Sequence, residues 1–137
     1  MRKLGLDPKA VERSSDDQHV TFAVKRGSAN VVISTGLADG ARFVRVAAPV
    51  MVPPSIDTEG GIENQYKLFR RLLELNAVGL SNAAFGLLEG RVIVVSERPA
   101  AALQEVELEQ MVRHLAAVAD TFDDKLVAEF GGVRGAG

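Results

Sequence analysis

Two histidines, two pairs of adjacent aspartates and a scatter of glycines are the residues in this chain whose chemistry would go beyond packing. His19 and His114 would act as general acids, bases or metal ligands if a carboxylate or second histidine stood at a ligand spacing such as HExxH. None does, so both read as ordinary boundary residues. Asp16-Asp17 and Asp123-Asp124 would suit a metal or acid–base work only if each pair converged. Adjacent side chains on a helix point about 100° apart, so Asp123 and Asp124 read as solvated charges, and Asp16 and Asp17 read the same way. Gly36-Leu37-Ala38-Asp39-Gly40 lacks the GK[ST] ending of a phosphate loop. Gly27-Ser28 sits in a hairpin turn, which is the wrong setting for a nucleophile elbow. The chain has no cysteine, which removes disulfides, thiolate metal sites and a thiol nucleophile. No residue set asks for an enzyme, a metal or a cofactor, and none is expected.

Composition bounds the rest. At 137 residues the chain suits one domain. Its 47% apolar content with 25% charged residues is enough to build a core and argues against disorder. Sixteen basic against eighteen acidic residues give a net charge of −2, without the basic stripe a nucleic-acid binder uses to collect phosphates. The aromatic residues, six Phe and one Tyr, make no stacking platform. No stretch approaches the ~18 apolar residues of a membrane span. Met1-Arg2-Lys3 opens like a signal peptide, but Gly5-Leu6-Asp7-Pro8-Lys9 interrupts any apolar region. The expectation is a soluble, cytoplasmic protein with no nucleic-acid or membrane partner.

The elements that would position any site follow from periodicity. Residues 1–18 are polar, and Asp7-Pro8 is a helix-start signal, so this arm is either frayed or a short helix over Pro8 to Arg13. From His19 the period becomes two: Val20, Phe22 and Val24 alternate with polar or small neighbours. Asn30 to Thr35 and Arg42 to Val50 form two further strands, with Gly36 and Asp39-Gly40 in the loop between them. Asp57 or Thr58 would cap a helix presenting Ile62, Tyr66, Phe69, Leu72, Leu73 and Asn76 on one face. Asn82 to Leu88 and Arg91 to Arg98 make a hairpin turning at Glu89-Gly90. A last helix runs from about Gln104 to Phe130, with Leu108, Met111, Leu115, Ala119, Phe122, Leu126 and Phe130 as its stripe. The order (α)-β-β-β-α-β-β-α predicts a single α+β domain with an antiparallel sheet of about five strands. Its parts are an arm over 1–18, a folded domain over 19–130 and a loose Gly-rich tail over 131–137.

Two features of this plan bear on function. Segment 19–52 carries four basic residues and one acidic, while residues from 99 onward carry seven acidic and three basic, so the near-neutral total hides a polar molecule. The strands also carry apolar residues on both faces: Val92 and Val94 oppose Ile93 and Val95, and Val31 and Ile33 oppose Val32. The second face is covered either by the chain's own helices or by a partner.

Leu72-Leu73-Glu74-Leu75-Asn76, Phe85-Gly86-Leu87, Gly90-Arg91-Val92-Ile93-Val94, Pro99, Ala119-Asp120 and Asp123-Asp124-Lys125-Leu126 together carry a family resemblance over about residues 19–130. The chain resembles YbjN-domain proteins, which share the fold of type III secretion chaperones of the Tir-chaperone class. The resemblance implies a small bacterial cytoplasmic protein that is non-enzymatic, often a homodimer, and binds extended client segments on apolar patches. The short N-terminal helix favours the YbjN-like label over a dedicated effector chaperone.

The leading expectation is thus a protein-binding module, a dimeric chaperone-like adaptor or regulator. Phe43, Arg45, Ile93 and Val95 are its candidate partner contacts, with edge-strand pairing as a further means of grip. The alternative is a small-molecule sensor of profilin or roadblock type, with an enclosed pocket between the sheet and last helix lined by Met111, Leu115 and Phe122. An enzyme would need titratable groups converging on His114 or His19.

Overall fold

In the computed structural model, residues 12–15, 20–26 and 29–134 are described. The elements are β1 (Glu12–Ser15), β2 (Val20–Arg26), β3 (Ala29–Ala38), β4 (Ala41–Val52), α1 (Gly61–Val78), β5 (Ala84–Leu88), β6 (Arg91–Pro99), α2 (Glu105–Phe130) and β7 (Val133–Arg134). They form an antiparallel sheet in the order β1-β2-β3-β4-β6-β5, with β7 pairing β4 off that path. The α+β class stands.

The two tight hairpins whose turns lie among the described residues are made by residues that tolerate positive φ. Asp39 and Gly40 (φ 53° and 77°) join β3 to β4, and Glu89 and Gly90 (φ 52° and 78°) join β5 to β6. Two consecutive left-handed residues are the signature of a type I′ turn, whose twist matches that of the flanking strands. Gly36 is therefore not part of a loop. It lies inside β3, opposite Phe43.

One sheet face packs under the helices. Val44, Val46, Ala48 and Val50 of β4, Val31 and Ile33 of β3, and Val92 and Val94 of β6 are buried there. Met111, Val112, Leu115, Ala119, Leu126 and Phe130 of α2 cover them, in close agreement with the stripe expected for this helix. Glu107 anchors the start of α2 twice: its Oε1 accepts the Gln104 N–H at 3.3 Å, and its Oε2 lies 3.0 Å from Arg98 Nη2 on β6.

Helix α1 begins later than Asp57 or Thr58. Those residues form a turn instead, with Thr58 N–H and Oγ1 both donating to the Ser55 carbonyl at 3.3 and 2.6 Å. The turn folds so closely over Gly61 that a Cβ there would collide with the Ser55 carbonyl oxygen. The helix buries only part of the face expected, and adds Leu68, which lay outside it. Leu68 and Leu72 are buried, whereas Ile62, Tyr66 and Leu73 are 69%, 63% and 69% exposed.

The sheet has seven strands where about five were expected, because both ends of the chain add one. Glu12 and Arg13 belong to β1 rather than to a helix, and the rest of the proposed Pro8 helix lies outside the described residues. The C-terminal segment is not loose through Arg134. Met51 pairs Val92 of β6 on one flank and Arg134 on the other, so β7 lies in line with the start of β3.

Candidate functional site: the uncovered face of the sheet

The helices take one face of the sheet, and among the described residues no helix lies on the other. Strand alternation sends Phe43, Arg45, Ala47 and Pro49 of β4 to that second face, all half-buried. Register then aligns one row across five strands: Ala23 opposes Val32, Val32 opposes Ala47, Ala47 opposes Val95, and Val95 opposes Ala84. Every member is alanine or valine, so the row makes a low apolar floor onto which another main chain can come close. Beside it Arg45 pairs across the strands with Glu97 at 3.4 Å.

A shallow groove of about 610 Å³ lies on this face. Val32, Ala47, Pro49 and Ile93 form its apolar part, and Arg45, Arg91 and Glu89 are its charged lining. Phe43, Arg45, Ile93 and Val95 all stand on this one face. Arg45 and Ile93 line the groove, Val95 adjoins it through Ala47, and Phe43 lies further along β4 opposite Pro99. Sequence reasoning missed Ala47, Pro49 and Arg91, which carry no motif. Val32 had a signal, since it points away from Val31 and Ile33.

The β5 edge of the sheet is only partly available. Phe85 N–H donates to Asn76 Oδ1 at 2.8 Å, and Asn76 Nδ2 donates to the Phe85 carbonyl at 3.1 Å. Both main-chain groups of Phe85 thus point away from β6 and are taken by a side chain of α1. Pairing along β5 is closed at Phe85, near the start of the strand, which takes that stretch of edge from a partner.

The other residues singled out have structural duties. His114 Nε2–H donates to the Leu80 carbonyl, tying the α1–β5 loop to α2. His19 lies outside the described residues. Asp123 and Asp124 do converge, contrary to the sequence expectation. Arg134 Nε and Nη2 donate to Asp123 Oδ2 at 3.3 and 3.0 Å, and Arg134 Nε lies 3.1 Å from Asp124 Oδ1. Asp123 is buried, at 8% exposure, and its Oδ1 also accepts the Asp124 N–H at 2.6 Å. The hydrogen bond that Arg134 donates to Asp123, and then the charges of Asp123 and Asp124, hold the guanidinium above its ordinary pKa. Among the described residues no cluster of three His, Asp or Glu side chains is placed to hold a metal.

Among the described residues Met111, Leu115 and Phe122 do not line one common pocket: Met111 and Leu115 border a small cleft and Phe122 does not. Met111 and Leu115 are buried in the core, and Phe122 meets Phe85 edge-on with ring centroids 5.4 Å apart. That cleft, of about 140 Å³, is lined mainly by polar side chains, Ser96, Arg98, Glu107 and His114 among them. No helix among the described residues is long and apolar enough to cross a membrane.

A sheet clad on one side by helices, with a small-residue apolar floor on the other, defines a protein-binding module built on α+β architecture. The chain belongs to the family described as T3SS (YopN, CesT) and YbjN peptide-binding chaperone 1, whose model matches residues 6–136. No curated protein sequence matches it significantly. Solved structures share the fold. A chain of the ExsC–ExsE complex superposes with a TM-score of 0.59 at 18% identity, over 83% of this chain and 80% of that one. A chain of the HopA1–SchA chaperone–effector complex gives 0.53 at 16% identity, over 90% and 86%. The ExoU–SpcU heterodimer from the type III secretion system of Pseudomonas aeruginosa gives 0.54 at 16% identity, over 89% and 90%.

Proposed function

We propose that this protein is a non-enzymatic, cytoplasmic, homodimeric adaptor or regulator that holds an extended segment of a partner protein on the uncovered face of its sheet. The observation that carries this reading is the Ala23–Val32–Ala47–Val95–Ala84 row, an apolar floor across five strands that no helix among the described residues covers. An extended segment laid on it would bury alternate side chains among Val32, Pro49, Ile93 and Val95. Arg45 and Arg91, against the one acid Glu89, would favour a segment that also carries acidic residues. Phe43 extends the same face beyond Arg45. Membership in a family of peptide-binding chaperones supports the choice of a peptide as occupant.

The test uses an array of 15-residue peptides that mix apolar and acidic residues, followed by fluorescence anisotropy on the peptides that bind. Val95→Asp and Ala47→Arg should each weaken binding about tenfold or more, since a charge is placed in an apolar contact. Melting curves confirm that both variants fold. Binding that survives both substitutions, or an array on which no peptide binds, overturns the reading.

A further inference from the structure

On the helix side of the sheet, the row along β6 changes chemistry partway. Val92 and Val94 are buried there, and the next residue of the row is Ser96, opposite the buried Val46. Ser96 is only 6% exposed, yet its hydroxyl has no hydrogen-bond partner among the described residues. The accessibility it keeps opens into the cleft of about 140 Å³ between β6, the first turns of α2 and the loop after α1. A buried hydroxyl left unpaired carries a free-energy cost that a bound polar group would offset.

The rim of the cleft is polar and equally unsatisfied. The side chains of Ser81, Asn82 and Gln110 border it and make no hydrogen bond among the described residues. Ser81 and Asn82 both take left-handed backbone, φ 59° and 66°, which successive non-glycine residues seldom hold. His114 secures them, because its Nε2–H donates to the carbonyl of the preceding Leu80.

Charge decides what can enter. Arg98 and Glu107 both line the cleft, with Nη2 and Oε2 3.0 Å apart. That contact leaves the other guanidinium N–H groups, and lone pairs on the carboxylate, free to bond further. Glu107 disfavours a bare anion such as phosphate, and Arg98 disfavours a simple cation. A molecule carrying both signs satisfies both. The space, room for about five waters, admits a small molecule and excludes a nucleotide.

We propose that this cleft binds a free α-amino acid with a short side chain. The ligand's carboxylate bonds to the unused N–H groups of Arg98, and its ammonium group to Glu107. Its side chain reaches the Ser96 hydroxyl beside Met111. The site lies across the sheet from the peptide groove and stands independently of that reading.

The test is a heteronuclear NMR titration of the full chain with glycine, L-alanine, L-serine and L-threonine. Lactate and ethanolamine serve as carboxylate-only and ammonium-only comparators. At least one amino acid should shift the amides of Ser96, Arg98 and His114 saturably, with both comparators weaker by about tenfold or more. Ser96→Val continues the valine row into the cleft and should abolish the shifts, while melting curves confirm the fold. Asn82→Gly removes the rim amide at a backbone angle glycine adopts freely, and should weaken binding several-fold. No saturable shift by about 10 mM of any of these amino acids overturns the site. Binding unchanged in both variants overturns it as well. Lactate or ethanolamine binding as tightly as the amino acid overturns the zwitterionic class.

Discussion

The carboxamide of Asn76 occupies both main-chain polar groups of Phe85, donating to one and accepting from the other at 3.1 and 2.8 Å. A helix side chain thereby stands where the next strand of the sheet would have bonded. Phe85 in turn sets its ring edge-on against Phe122 of α2. The pair ties α1, β5 and α2 together at one point.

Asn76→Ala removes both bonds and leaves a partly buried N–H and C=O without partners. The expected loss is about 1–3 kcal/mol, read from urea unfolding. Hydrogen exchange at the Phe85 amide should speed up more than that at Val94 on β6. Equal acceleration at both amides would mean that Asn76 acts only on global stability.

Leu68 and Leu73 lie on the same helix and share a residue type, but their environments are opposite. Leu68→Ala should cost about 2–5 kcal/mol because it empties a buried site. Leu73→Ala is expected to change monomer stability by about 0.5 kcal/mol or less, since the side chain is 69% exposed.

Replacing Arg134 with alanine leaves the buried Asp123 carboxylate without its cation. The melting temperature should fall, and amide protection at Met51 and Val52 should fall with it, since β7 pairs with both. Arg134→Lys keeps the charge but not the two-nitrogen grip on Asp123, and should recover only part of the loss. With its pKa held above the ordinary arginine value, Arg134 stays charged to the alkaline limit. Stability present below that ordinary value would be lost only as pH rose through the higher folded one, so this ion pair adds no pH dependence from Arg134 near neutrality.

Gly90 at φ 78° closes the β5–β6 hairpin. Gly90→Val should cost about 1–2 kcal/mol, because a branched side chain is strained in the left-handed region. Gly86, in ordinary strand geometry on the same hairpin, should accept alanine at about 0.5 kcal/mol or less. Equal costs at the two positions would argue against the type I′ turn.

The long elements were legible in the sequence because their patterns run over many residues. Helix α2 was expected from about Gln104 and begins at Glu105, and β6 differs from its expected span only by Pro99. The short strands were not legible. β1 is Glu-Arg-Ser-Ser and β7 is Val-Arg, too brief and too polar for an alternation to register. The apolar face of α1 spans more than one side of the helix, so periodicity alone could not say which half meets the sheet and which meets solvent. Phe43, Arg45, Ile93 and Val95 share a face because an even spacing along a strand survives any error in strand ends. Which of them line the groove depended on cross-strand register, which no single strand encodes. Asp123 was misjudged because its partner lies 11 residues away in a segment that gave no sign of order.

The position of β7 has a consequence for how the chain is made. Synthesis delivers the β2–β3–β4 meander first, and its contacts are local enough to form early. The far flank of Met51 and Val52, in the middle of the sheet, is filled only when residues 133 and 134 have left the ribosome. A nascent chain stalled short of that point carries an open notch beside β4, which any passing extended segment can enter. Emergence of β7, after α2 has been made, is the event that closes the sheet beside Met51 and Val52.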